Sequence, residues 1–139
     1  MTYHFRIHGG KALWAECLEL EGCVTQAKDR SELVRNMREA LNLYLREPET
    51  STAVFPPPLP RSGSNVVEVE VEPAVAFSMQ LRQLRLRSHL TQKEAAKRLG
   101  MRSLYSYQRL ERRSNPSLAT MKKVKSLFPE FSIDSVLGS

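Results

Sequence analysis

No run of apolar residues in this sequence approaches the roughly 18 that a membrane-spanning helix requires. Its first residues lack the charged, apolar and small-residue order of a signal peptide, so the chain reads as cytoplasmic, with no membrane partner. Cysteine is nearly absent. Cys17 and Cys23 match neither a CxxC pair nor a disulfide framework, and such thiols commonly pack as small apolar groups, so they are assigned no chemistry. A glycine-rich phosphate loop is also missing, which counts against a small-molecule pocket, and no cofactor is expected.

With 41% hydrophobic content, 139 residues can fold as one ordinary domain or as two small ones. The distribution of charge points to two. Residues 1–72 carry 8 Lys and Arg against 11 Asp and Glu, a net of −3, whereas residues 73–139 carry 13 against 4, a net of +9. A basic half is the electrostatic footprint of a nucleic-acid binder, because each Lys or Arg beside a phosphate releases condensed counterions. A merely solvated basic face is the alternative. The acidic half should avoid DNA and meet another partner.

Tyr3, Phe5 and Ile7 alternate with His4, Arg6 and His8, the period-two pattern of a strand buried on one face. Gly9-Gly10 supplies a turn, a second strand is expected over about Leu13 to Leu18, and Cys23 to Gln26 forms a short third. Asp29 followed by Glu32 has capping-box chemistry, and Leu33, Met37, Ala40, Leu41 and Tyr44 then recur at helical spacing up to about Arg46. Pro48 and the run Phe55-Pro56-Pro57-Pro58-Leu59-Pro60 cannot continue a helix. Val67, Val69 and Val71 alternate with Glu68, Glu70 and Glu72, which is a strand, and a strand needs a sheet. The prolines are therefore a loop inside the first domain, whose order is β-β-β-α-β. The boundary falls at Pro73-Ala74, giving domains 1–73 and 74–139.

Beyond the boundary the period is helical throughout. A first helix is expected over about Phe77 to Ser88, with Met79 or Leu81, Leu84 and Leu86 as its inner stripe. Thr91, with Glu94 completing a capping box, starts a second. In the segment Thr91 to Gly100, Ala96 allows close approach of a neighbouring helix, Gly100 accepts the positive φ of a tight turn, and Met101 plugs the gap. Ser103 caps a third helix whose Tyr107 and Leu110 face inward. Its outward residues are Leu104, Tyr105, Gln108, Arg109 and Arg112. Arg suits guanine edges, Gln suits adenine, and apolar groups suit the thymine methyl, so this face has the residue types of direct base readout. Gln92 and Lys93, at a helix N-terminus, suit phosphate contact, and Arg102 and Ser103 at the turn complete the candidate DNA-binding set. A fourth helix starts at Asn115-Pro116-Ser117 with Leu118, Met121, Val124 and Phe128 as core, Pro129 ends it, and a short fifth covers Ser132 to Leu137.

The strings LTQKEAAKRLG, RLERR and NPSLATMKKV resemble the Xre/Cro-type helix-turn-helix family over nearly the whole C-terminal half. The interval from Gly100 to Glu111 is one residue longer than that family's usual spacing, which lengthens the turn or the third helix. An all-α bundle used only for protein contact is the competing reading.

The segment from Trp14 to Leu45, with Leu20-Glu21-Gly22-Cys23-Val24 at its centre, resembles the HicB antitoxin family, and with the strand at Val66 to Val71 the resemblance spans the N-terminal half. It implies an incomplete RNase H-like fold that silences a small RNA-cleaving toxin of the HicA type. Joined to a helix-turn-helix, it implies repression of the operon encoding both. The fold class is thus α+β, followed by an all-α domain of four to five helices. Glu16, Glu19, Glu21, Glu32, Glu68, Glu70 and Glu72 could complement a basic toxin, or could simply form solvated outer faces.

An enzyme is not expected. RNase H chemistry clusters carboxylates around two metal ions about 4 Å apart, and the first strand contains no acid. His4 and His8 share a strand face about 13 Å apart, too far to share a metal, and read as surface histidines. A homo-oligomer, either a dimer or a dimer of dimers, is expected, because one helix-turn-helix module is a weak reader. The rival reading is a repressor that senses a small ligand and has no toxin.

Overall fold

The computed structural model describes residues 1–46, 55–112 and 114–138. Pro48, expected to stop the first helix, lies outside them. Contacts divide the chain into two units, one built from Met1–Leu45 with Phe55–Val71 and the other from Glu72–Leu137.

The first unit is a four-stranded sheet with one helix. Strands β1 (Thr2–His8), β2 (Leu13–Cys17) and β3 (Val24–Ala27) form a meander, helix α1 spans Arg30–Leu45, and β4 (Val66–Glu70) pairs with β1. The order is β3-β2-β1-β4 and every pairing is antiparallel. A helix alone between β3 and β4 would return the chain for a parallel strand. The connection from α1 to β4 is long and contains the prolines, and β4 enters antiparallel. That connection is anchored to its own unit: the Tyr3 hydroxyl donates to the Pro56 carbonyl at 2.8 Å, and the Phe55 ring lies 5.5 Å from that of Tyr44.

Alternation sorts the sheet into two faces. Tyr3, Phe5, Ile7, Ala15 and Val69 are buried, and α1 covers them with Leu33, Met37, Leu41 and Leu45 at four-residue intervals. Asp29 caps α1 by accepting from the Glu32 amide at 2.8 Å. The other face holds Arg6, His8, Trp14, Glu16, Glu68 and Glu70, where the His8 ring stacks on Trp14 at 4.2 Å. His4 corrects an expectation. It belongs to this outer face by alternation, yet it is only 5% exposed. The Glu19 carboxylate explains this, accepting from the His4 amide at 2.9 Å and meeting ring Nδ1 at 2.7 Å. Glu19 is itself buried there and is not available to a partner.

The second unit is helical: α2 (Pro73–Arg87), α3 (Gln92–Arg98), α4 (Leu104–Leu110), α5 (Leu118–Leu127) and α6 (Ile133–Leu137). Helix α2 begins four residues before the expected Phe77. Pro73 fits its first turn because the missing amide would have had no helical partner there. Phe77, Leu81 and Leu84 form its inner stripe, while Leu86, two residues past Leu84, is turned to another side and half-buried. Tyr107, Val124, Phe128 and Phe131 fill the centre, with Phe77 and Phe131 edge to face at 5.7 Å. Leu118 is a second correction: it is 85% exposed. It is the first residue after the Ser117 cap, and the inward stripe of α5 starts one turn later at Met121. Among the described residues no helix is long and apolar enough to cross a membrane.

Candidate nucleic-acid interface

Helices α3 and α4 are joined by a turn whose geometry follows from its residues. Thr91 and Glu94 form a reciprocal capping box, each side chain accepting from the other's amide at 3.1 Å. The Thr91 amide, followed by the Thr91 side chain, is the main reason the Glu94 carboxyl sits below its ordinary pKa.

 At the other end of α3, the Gly100 amide donates to Lys97 and the Met101 amide to Ala96, the paired bonds of a Schellman stop. Gly100 has φ +70°, and a Cβ there would meet nothing within 4 Å, so glycine is needed for its backbone angle and not for space. Ser103 then caps α4 by accepting from the Ser106 amide at 3.1 Å.

The pair is locked from beneath by an ion pair whose residues are not among the sequence-derived candidates. Glu111 is 4% exposed. It receives Arg85 of α2 in a two-point contact, Nε to Oε2 at 2.6 Å and Nη2 to Oε1 at 3.0 Å. The Tyr107 hydroxyl donates to the same carboxylate, and Gln92 Nε2 approaches it at 3.3 Å. Arg85 also donates to the Leu90 carbonyl at 2.9 Å, so one guanidinium links α2, the loop before α3, and the end of α4. Burial pulls the Arg85 pKa down, but the hydrogen bond and charge of Glu111 outweigh it and the net direction is up. Burial, followed by the Glu111 charge, pushes the Tyr107 phenol up, so it stays protonated. Helical spacing was the available signal: Glu111 is four residues beyond inward-facing Tyr107, and Arg85 four beyond Leu81.

The candidate DNA-binding residues separate into two groups. Lys93, Arg102, Leu104, Tyr105 and Arg109 are exposed, with Tyr105 at 60%. Among the described residues no carboxylate forms an ion pair with Lys93, Arg102 or Arg109. Gln92 and Gln108 are instead half-buried and joined to each other, Gln108 Nε2 donating to Gln92 Oε1 at 3.2 Å. Ser103 is occupied as the cap. Arg112 is exposed but does not lie on α4, which stops at Leu110 with Glu111 as its C-cap. A further basic groove of about 560 Å³ lies between the end of α3 and α5, lined by Arg98, Gly100, Lys122 and Lys123.

In the first unit, a groove between α1 and β4 is lined by Ile7, Val34, Met37 and Val69 and holds about 210 Å³. Pockets for small ligands are typically about 300–1,000 Å³.

No family model matches the chain. A UPF0150 protein of Helicobacter pylori strain J99 is 36% identical to it over 52 residues, covering 37% of this chain and 68% of the relative. The chain belongs to the UPF0150 family. Because the match to that UPF0150 relative leaves more than half of this chain uncovered, the two units call for separate functional arguments.

Proposed function

We propose that this chain is the antitoxin of a HicAB-like type II toxin–antitoxin system. Its first unit, an incomplete RNase H-like fold, silences a small HicA-like mRNA-cleaving toxin, and its second represses the operon as a helix-turn-helix reader. The observation that carries the reading is the joining, in one UPF0150 chain, of an acidic sheet-and-helix unit to a tightly capped α3–α4 pair that presents Lys93, Arg102, Tyr105 and Arg109 to solvent. UPF0150 proteins are associated with toxin–antitoxin systems, which supports the first half. The net charge of +9 over residues 73–139 supports the second.

In this reading the protein is not an enzyme, and it acts by covering the toxin's active site from the cytoplasm. Glu16, Glu21, Glu32, Glu68, Glu70 and Glu72 are the acids left to face a basic toxin, since Glu19 is held by His4. Two copies bind a palindromic operator, each placing α4 in a major groove.

Co-expression with the short reading frame beside this gene tests the antitoxin half. The neighbour should arrest growth alone, be harmless with this chain, and copurify with it. A neighbour that is neither toxic nor retained sinks that half. A mobility-shift titration with the upstream DNA tests the other, and binding no tighter than to unrelated duplex removes the operator role.

A further inference from the structure

The β2–β3 register continues one step past its last paired residues. Leu13 faces Ala27, Trp14 faces Gln26, Ala15 faces Thr25 and Glu16 faces Val24, so the next opposed pair is Cys17 and Cys23. The Cys17 amide donates to the Cys23 carbonyl at 2.9 Å, which holds the two backbones at ladder distance. Directly opposed antiparallel residues have Cα atoms about 4.5–5.5 Å apart, inside the roughly 4.4–6.8 Å that a disulfide spans. Both side chains are buried. No disulfide joins them in this structure.

We propose that Cys17 and Cys23 form a reversible dithiol–disulfide pair that fastens the turn Leu18–Gly22 when the protein meets a small-molecule disulfide oxidant. The Cys17 thiolate attacks one sulfur of the oxidant, forming a mixed disulfide and releasing one thiol. The Cys23 thiolate then attacks Cys17 Sγ, closing the internal bond and releasing the second thiol. Two electrons and two thiol protons pass to the oxidant, and nothing else is consumed.

Cys17 is the attacking group. Its thiol donates to Glu19 Oε1 at 3.7 Å, a carboxylate placed to take the proton as the sulfur attacks. Contact with Cys23 and the Glu19 and Leu20 amides hold its pKa below the ordinary thiol value against burial and the Glu19 charge, whereas Cys23 is pushed up. Access comes through β3, a four-residue edge strand paired on one side only. The turn that closes carries Glu19, the partner of His4, and its Glu21 carbonyl accepts from the Tyr44 hydroxyl of α1 at 2.7 Å. In a reducing compartment such a pair rests as the dithiol and closes only under oxidant, which suits a sensor more than a structural bridge. The proposal stands whether or not the antitoxin reading does.

The test incubates the folded full chain with oxidised glutathione, alkylates the remaining thiols, and maps the peptides by mass. The expected result is joint loss of both thiols, an intramolecular 17–23 crosslink lighter by about 2 Da, increased amide protection over residues 18–24, and full reversal by reduced glutathione. Cys23→Ser should accumulate a glutathione adduct on Cys17, while Cys17→Ser should leave Cys23 unmodified. Independent loss of the thiols, an adduct on Cys23 first, crosslinked dimers, or reaction only in urea would each overturn the proposal.

Discussion

Glu111 shows how much one side chain can hold in a small helical unit. Its carboxylate takes bonds from Arg85, Tyr107 and Gln92, and its removal strands the Arg85 guanidinium in the interior. Breaking a buried pair from one side typically costs about 3–5 kcal/mol, whereas exposed pairs are worth about 1 kcal/mol or less. Glu111→Ala is therefore expected to destabilise the second unit by about 3–5 kcal/mol in urea unfolding followed by helical signal; a loss below about 1 kcal/mol would contradict burial of the pair. Arg109 and Lys93 differ in role under the DNA-reading hypothesis. Arg109→Ala should reduce discrimination between operator and scrambled duplex by about 1–3 kcal/mol, while Lys93→Ala should weaken both alike and flatten the salt slope by about one unit. Equal, sequence-independent losses from both variants would remove the base-reading assignment. Gln108→Ala is a less clean probe, because it also deprives Gln92 of a partner.

Elements are decided mainly by their ends. The stop of α3 places Gly100 in the left-handed region, where an L-residue pays about 1–2 kcal/mol. Gly100→Ala should lower the stability of the second unit by about that amount without steric disruption, since the added Cβ meets nothing. A calorimetric scan that shows no shift would contradict the strained angle. The start of α3 is sensitive to pH. Backbone donation from Thr91 holds the Glu94 carboxyl below its ordinary value of 4.5, so its contribution is present in full above that value and fades as pH falls below it. Parent and Glu94→Gln should thus differ in stability at neutral pH and converge in acid. Caps and turns of this kind were readable beforehand, because Thr91, Glu94, Gly100 and Ser103 act over only a few residues. The start of α2 is less legible: periodicity points to Phe77, four residues after the actual start, because the first turn contains Pro73 and little amphipathic contrast.

At the scale of the whole molecule, the opposed charges of the two halves set the conditions under which it binds. Duplex affinity should fall linearly in the logarithm of salt concentration, with about 0.9 of slope per phosphate neutralised. A two-fold assembly on a palindrome should protect two patches about 34 Å apart in footprinting; one isolated patch would argue for a single reading head. The sequence by itself determined the element order, the faces of α1 and of the strands, the caps of α3 and α4, and the separation of charge, because these depend on periodicity and on chemistry within a turn or two. Only the tertiary structure decided that His4 is buried against Glu19, that Leu118 stays exposed, that Arg85 meets Glu111, and that Cys17 faces Cys23. Each of these depends on which residues distant in the chain come to share a site, and strand register and helix packing set that, whereas local spacing does not.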